Sequence, residues 1–271
     1  MTTTEVELNP CFLTPKRVQP EYPLLVYLPG MDGTGQLLRS QTAGLEAGFD
    51  VRCLALPRKD LNTWDVLTKS VLDLIDAELE KSSQRPVYLC GESFGGCLAM
   101  KVAIQAPELF KRIILINPAS SFRLRPWLNW ASQLTSLVPS GLYDVGALVL
   151  LPFLSSLPRI SRSDRHELLK TMRSIPFETV LWRLSLLREF HIDDEQLSRL
   201  TQPVLLIAGA SDRLLPSVTE VKRIENILPN TKIVVLPNCG HACLLEEDIN
   251  LYDILKDNDF LETNADIGIK R

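Results

Sequence analysis

Ser93 stands in the middle of a glycine-rich segment, Gly-Glu-Ser-Phe-Gly-Gly at residues 91–96. An apolar run at residues 86–90 precedes this segment, and a run with helical spacing at residues 97–104 follows it. In a strand–turn–helix of this kind the turn lifts the serine hydroxyl above the sheet, and glycines two positions before and after the serine avoid a steric clash. The pattern predicts that Ser93 is a nucleophile. The alternative is a solvated serine on an ordinary glycine-rich turn.

A serine hydroxyl needs an adjacent base at neutral pH, and the chain offers three histidines for that role. His166 and His191 lie within a predicted helical insertion at about residues 120–201, whereas His241 follows an apolar run at residues 232–236. His241 would then lie at the carboxyl end of a strand, on the same side of the sheet as Ser93. Its alternative role is that of a surface-loop histidine. The position favours His241 as the general base.

A carboxylate must orient this base by fixing its tautomer and stabilising the imidazolium. Asp212 lies just past the apolar run at residues 203–208. The next predicted strand along the chain is the one that precedes His241. Asp212 could instead cap a helix that begins near Pro216, although Ser211 or Ser217 offers the same cap. We predict that Asp212 is the acid.

An acyl-transfer site also needs N–H donors for the developing oxyanion, usually the amide after the nucleophile and one from an early loop. These would be the backbone N–H groups of Phe94 and Met31, the latter within the permissive loop at residues 27–35. The alternatives for this loop are a plain turn or a phosphate cradle. A phosphate cradle would need a lysine or a recognised glycine spacing, and the loop has neither.

Residues 239–243, Cys-Gly-His-Ala-Cys, have a spacing that superficially resembles a set of metal ligands. A zinc site needs further ligands, and the sequence has no second Cys/His cluster. We therefore expect no metal ion and no cofactor.

Short apolar runs bounded by Gly or Pro are typical of buried strands. They lie at residues 23–28, 51–56, 86–90, 113–116, 203–208 and 232–236. Between them are segments with helical spacing, such as the face formed by Leu67, Val71, Leu74, Ile75 and Leu79. Alternating strands and helices predict an α/β fold with a mostly parallel sheet and helices on both faces.

This alternation stops between about residues 120 and 201, which predicts a helical cap inserted over the carboxyl ends of the strands, where open α/β sheets bind ligands. We expect its apolar inner face to hold a long acyl or prenyl chain. The alternative is that its large apolar residues pack only against each other. They include Leu128, Leu134, Leu137, Leu142, Leu148, Leu150, Leu151, Phe153 and Leu154.

The chain has 271 residues, which fits one domain with a core at 20–119 and 202–257, the cap at 120–201 and a frayed tail at 258–271. A net charge of -4 gives no basic field for nucleic acid. Six scattered cysteines fit a reducing compartment, and the first residues do not resemble a secretory signal. We expect a cytoplasmic protein whose cap could contact a membrane peripherally; the oligomeric state is left open.

The order Ser93, Asp212, His241 resembles that of the α/β-hydrolases over nearly the whole chain. Four segments resemble, more narrowly, the hydrolase-like half of the plastid phytyl ester synthase family. They are Leu-Pro-Gly-Met-Asp-Gly-Thr-Gly (28–35), Val-Arg-Cys-Leu (51–54), Gly-Glu-Ser-Phe-Gly-Gly-Cys-Leu-Ala (91–99) and Asn-Pro-Ala-Ser-Ser-Phe (117–122).

This resemblance implies a cyanobacterial or plastid-lineage relative and an α/β-hydrolase fold. It also implies chemistry on acyl esters, because enzymes of that family esterify phytol and diacylglycerol. Their plant members carry a second, acyltransferase half with a His-x-x-x-x-Asp motif, and none of the three histidines here has an aspartate five residues on.

These features together predict a serine esterase or lipase-like hydrolase that cleaves an apolar ester through an acyl-enzyme. Two alternatives stay open. One is an acyltransferase that passes the acyl group to a lipid alcohol such as phytol or diacylglycerol. The other is a non-catalytic ligand receptor built on the hydrolase fold.

Overall fold

The computed structural model describes residues 9–81, 85–124, 153 and 156–261. Within this part of the chain, seven strands form one sheet in the order β1-β3-β2-β4-β5-β6-β7, parallel except for β1, which pairs antiparallel with β3. The strands are β1 (Cys11–Leu13), β2 (Leu24–Leu28), β3 (Asp50–Ala55), β4 (Val87–Glu92), β5 (Arg112–Ile116), β6 (Val204–Gly209) and β7 (Thr231–Leu236). The predicted mostly parallel sheet is confirmed.

Helices cover both faces of this sheet, as predicted. They are α1 (Thr42–Leu45), α2 (Trp64–Lys81), α3 (Phe94–Gln105), α4 (Arg162–Ser174), α5 (Phe177–Glu189), α6 (Asp194–Ser198), α7 (Ser217–Glu225) and α8 (Leu251–Asp257). Short 3₁₀ turns lie at Gln36–Ser40, Pro107–Leu109, Ala119–Leu124, Leu157–Arg159 and Cys243–Leu245. None of the described helices is both long enough and apolar enough to cross a bilayer.

The central strands are buried on both faces because each face contacts a separate apolar layer. In β4, Val87 and Leu89 pack into the layer formed with α2, α3 and α7, while Tyr88 and Cys90 pack into the layer formed with α1 and α8. This alternation follows from the two-residue period of a strand. A strand buried on both faces reads as a continuous apolar run, which is why the sequence revealed it.

Two strand predictions need correction. Residues 232–236 were expected to form a buried strand, but β7 lies at the edge of the sheet and exposes 42% of Val235. The three-residue β1 is absent from the sequence-based prediction, because such a short edge strand carries too few residues to show a pattern.

The predicted core limits of 20–119 and 202–257 are therefore too narrow. Cys11 and Phe12 of β1 are buried, and Phe260 is also buried, with the Arg112 guanidinium 5.1 Å from its ring centroid. Residues 258–261 of the tail that was predicted to fray are part of the described structure, and the prediction for residues 262–271 lies outside the described residues.

The predicted cap at residues 120–201 contains α4, α5 and α6 in its described part. Leu186, Leu187 and Phe190 at the end of α5 belong to the same apolar layer as α2 and α3, so this helix packs onto the body of the fold. Of the large apolar residues expected to line a binding face, Phe153 is 41% exposed, and the others lie outside the described residues.

Candidate active site

Ser93 occupies a sharp turn between β4 and α3, with φ 54° and ψ -114°. Residues other than glycine adopt this backbone conformation at an energetic cost. The Ser93 N–H donates to the Ile116 carbonyl at 2.9 Å, which ties the turn to β5. A Cβ at Gly91 would meet the Gly95 carbonyl oxygen, and a Cβ at Gly95 would meet that of Leu28. The two glycines that flank the serine are therefore required by close backbone contacts.

The structure brings the three predicted side chains together. The Ser93 Oγ lies 2.7 Å from His241 Nε2, and His241 Nδ1 lies 2.7 Å from Asp212 Oδ2. The side chains of His241 and Asp212 are 5% and 1% exposed, whereas Ser93 is partly accessible. A hydroxyl, an imidazole and a carboxylate in this relay can transfer a proton from the serine to the histidine as the serine attacks.

Asp212 also binds the loop in front of α7. Its Oδ1 accepts hydrogen bonds from the N–H groups of Leu214 at 2.9 Å and Leu215 at 3.0 Å, and the Ser217 hydroxyl donates to Oδ2. These bonds do not make the alternative helix cap, because Leu214 and Leu215 precede α7, which begins at Ser217, and the other carboxylate oxygen faces the histidine. This bonding fixes the carboxylate in one orientation.

The segments that carry the two predicted oxyanion donors both lie next to the serine. Phe94 N–H opens α3, and Met31 follows Gly30, where a Cβ would lie 3.8 Å from the Ser93 Cβ. Within the described residues neither N–H donates to another group of the protein. The arrangement leaves both amides available to an oxygen bound beside Ser93.

The other two histidines lie apart from Ser93. His191 Nε2 bonds to Asp193 Oδ1 at 2.6 Å on the surface, where the two side chains are 56% and 64% exposed, and His166 is exposed on α4. Only His241 therefore reaches the serine.

Comparison with known protein families shows which family the chain belongs to. Residues 57–248 match the family Hydrolase_4, described as serine aminopeptidase, S33. The chain belongs to this family. As a member of Hydrolase_4 it is part of the α/β-hydrolase superfamily, and it resembles the phytyl ester synthases.

Two relatives and one solved structure illustrate the likeness of this Hydrolase_4 chain. It is 34% identical to phytyl ester synthase 1, chloroplastic, of Arabidopsis thaliana over 257 residues, covering 86% of this chain and 36% of that protein. It is 28% identical to the pimeloyl-[acyl-carrier protein] methyl ester esterase of Nitrosomonas europaea, covering 72% and 78%. MenH from S. aureus shares the fold, with a TM-score of 0.72, 19% identity, and coverage of 93% and 99%. The chain spans about a third of the length of phytyl ester synthase 1.

The electrostatics around Ser93, His241 and Asp212 favour a charged imidazole beside a charged carboxylate. Burial by itself lowers the pKa of His241, but the charge and hydrogen bond of Asp212 and the charge of Glu92 outweigh it, so the pKa is raised overall. Burial by itself raises the pKa of Asp212, but the charge of His241 and the hydrogen bonds from His241, Ser217 and Leu215 lower it overall.

Two residues that position the histidine loop of this Hydrolase_4 chain were missed by sequence reasoning. The Asn117 Nδ2 donates to the His241 carbonyl at 2.6 Å, while its Oδ1 accepts from Gly209 N–H at 2.8 Å. Glu246 Oε1 accepts from Gly240 N–H at 2.8 Å. Asn117 directly follows β5 and has φ 42°, but its local sequence gives no sign of partners about a hundred residues away.

Proposed function

We propose that the protein is a serine-dependent ester hydrolase. The observation that carries this proposal is the relay of Ser93, His241 and Asp212, with two 2.7 Å contacts between functional atoms. The Met31 and Phe94 amides beside the serine supply what the relay alone lacks, namely donors for the oxyanion.

In the proposed reaction the Ser93 Oγ attacks the ester carbonyl carbon while His241 Nε2 takes the hydroxyl proton. The carbonyl oxygen becomes an oxyanion that accepts hydrogen bonds from the two amides. The tetrahedral intermediate collapses, the bond to the alcohol oxygen breaks, and His241 returns the proton to that oxygen. Water, deprotonated by the same histidine, then attacks the acyl-enzyme and releases the acid and free Ser93.

The proposed substrate is an ester with an apolar acyl or alcohol part. Two relatives support this choice, because their names refer to phytyl esters and to a methyl ester of a carrier-bound acyl group. The leucine-rich sequence of the predicted cap supports it independently. Each additional buried methylene contributes about 0.8 kcal/mol, so four of them would favour a longer chain roughly a hundredfold.

The test compares kcat/KM for p-nitrophenyl acetate, octanoate and palmitate with wild-type protein, Ser93→Ala and His191→Ala. We expect Ser93-dependent turnover that rises with chain length and is unchanged in His191→Ala, which alters only a surface pair. A steady preference for acetate would reject the apolar substrate. Unchanged turnover in folded Ser93→Ala would reject the serine mechanism.

Acyl transfer to a lipid alcohol is the second candidate, favoured by the 34% identity to phytyl ester synthase 1. The acyl-enzyme would be the same, and an alcohol would replace water as acceptor. Adding phytol or diacylglycerol to the octanoate assay distinguishes the two, because transfer yields a new ester in place of free acid. Ligand binding with no turnover and no acyl-enzyme would instead indicate a receptor.

A further inference from the structure

Arg183 is a buried cation that connects the cap to the oxyanion loop. It lies on α5, is 1% exposed, and its Nη1 donates to the carbonyl oxygens of Met31 at 2.8 Å and Asp32 at 3.0 Å. Arginine is seldom buried to this extent unless it is paired. Here it binds the loop that supplies one of the two proposed oxyanion donors.

We propose that Arg183 is a positioning residue for the oxyanion hole. It holds the Met31–Asp32 peptide so that the Met31 N–H faces the carbonyl oxygen of the ester whose carbon Ser93 attacks. This inference rests on the proposed function. It gives the cap a part in catalysis that is separate from binding the substrate chain.

The geometry of two successive peptides carries the argument. The described residues contain no cis peptide, so the carbonyl and N–H of each unit point in opposite directions. The Gly30 carbonyl accepts from Gly33 N–H at 3.0 Å, which turns the Met31 N–H to the opposite side. The Met31 carbonyl is held by Arg183, so both peptides that flank the Met31 Cα are fixed.

The charges around Arg183 suit a permanent cation. Burial raises the pKa of Asp32 and of Asp60, and the charge of Arg183 acts against that rise in both carboxyls. Asp32 Oδ2 also accepts from the Thr34 N–H at 2.9 Å and hydroxyl at 2.6 Å, which shapes the loop locally. The guanidinium therefore donates to two carbonyl oxygens through Nη1, and its charge acts on both buried carboxyls.

The helix that carries Arg183 is anchored by other contacts. Thr179 Oγ1 donates to the Arg58 carbonyl at 2.9 Å, and Trp182 Nε1 donates to the Asn62 carbonyl at 2.9 Å. The Trp64 Nε1 donates to the Leu186 carbonyl at 3.0 Å, near the other end of the helix. A substitution at Arg183 should therefore release the loop while α5 stays in place.

Gly33 allows the same contact to be perturbed from the loop side. It has φ +66°, and a Cβ there would lie 2.7 Å from Arg183 Nη1 and 2.9 Å from Nη2. Gly33→Ala should displace the guanidinium without removing its charge.

The experiment uses Arg183→Met, Arg183→Lys, Gly33→Ala and, as the matched control, Arg188→Met on the same helix. Within the described residues Arg188 has no hydrogen bond to the loop. Three quantities are measured: kcat and KM for p-nitrophenyl octanoate, the rate of Ser93 labelling by a fluorophosphonate, and the Ki of a trifluoromethyl ketone. The last two depend on an oxygen anion in the hole and need no natural substrate.

For Arg183→Met we expect kcat and the labelling rate to fall about ten- to a hundredfold, because a donor displaced by about 1 Å can cost up to roughly that factor. The Ki should weaken by the same factor while KM changes little. Arg183→Lys, which keeps a charged donor, should recover part of the loss. Gly33→Ala should behave like Arg183→Met, and Arg188→Met like wild type.

If Arg183 had only a general structural role, its replacement would lower thermal stability. It would not lower kcat selectively over KM, and it would not weaken binding of the ketone. If the wild type is labelled at Ser93 and folded Arg183→Met shows the same labelling rate and Ki, this inference is overturned while the proposed function stands. If Arg183→Met does not fold, Gly33→Ala decides by the same criterion. Absence of labelling in the wild type would overturn the proposed function, and the inference with it.

Discussion

Replacing Asp212 by Asn tests how the carboxylate acts, because it changes charge and bonding while keeping the side-chain shape. The amide oxygen can still accept the Leu214 and Leu215 N–H bonds. The amide nitrogen then occupies the place of Oδ2, where it faces His241 Nδ1 and the Ser217 hydroxyl. Since that nitrogen is a donor, it favours the imidazole tautomer with its proton on Nε2, which cannot accept the proton of Ser93.

The magnitude follows from the loss of both the tautomer and the buried ion pair. Loss of the orienting carboxylate in a triad lowers kcat by about 10⁴-fold when the geometry is kept. At about 1.36 kcal/mol per tenfold, this corresponds to roughly 5 kcal/mol of transition-state stabilisation.

The assay measures kcat and KM for p-nitrophenyl octanoate in Asp212→Asn, with circular dichroism to show that the variant is folded. We expect kcat to fall by about 10³–10⁴-fold and KM to change less than about threefold. Asp193→Asn is the matched control, because Asp193 bonds to His191 at 2.6 Å but on the surface. A kcat within tenfold of wild type in folded Asp212→Asn would refute the assignment of the acid.

Two further outcomes concern pH. Because Asp212 holds the pKa of His241 above its ordinary value, the acidic limb of the kcat/KM profile should lie above the pH expected for a free imidazole. The residual activity of Asp212→Asn should have its acidic limb at lower pH. A pH–rate profile of both proteins checks this, and coincident limbs would contradict it. Burial raises the pKa of Glu92 to about 7, so its contribution to stability is complete below its unfolded value near 4.5 and is lost as pH rises through 7. Urea unfolding should show a loss of about 2–3 kcal/mol between about pH 5 and pH 8 in wild type that Glu92→Gln lacks, and equal slopes in the two proteins would reject the burial of a titrating Glu92.

The parts of this fold that the sequence predicts are those that local patterns encode. Central strands such as β4 are continuous apolar runs because both faces are covered, and the turn at Ser93 is marked by glycines that its backbone contacts require. Asp212 and His241 could be placed because each follows a strand, and parallel strands bring their carboxyl ends to one edge.

The features that escaped prediction depend on contacts between distant segments. Asn117 bonds to residues about 90 and 120 positions away, and Arg183 bonds to carbonyl groups about 150 positions away. Their residue types are compatible with many other environments, so only the assembled fold shows what they contact. The edge strands β1 and β7 were misjudged because their burial depends on which strand ends the sheet.

The most direct test of the central claim is the mass of the protein during turnover. The protein is mixed with excess p-nitrophenyl octanoate, quenched in acid within the first turnovers and analysed by intact and peptide mass spectrometry. The proposed mechanism predicts one octanoyl group on the peptide that contains Ser93. This group should be absent from Ser93→Ala and should accumulate in a variant whose deacylation is slowed. Octanoyl groups on another residue, or turnover by Ser93→Ala at the wild-type rate, would contradict it.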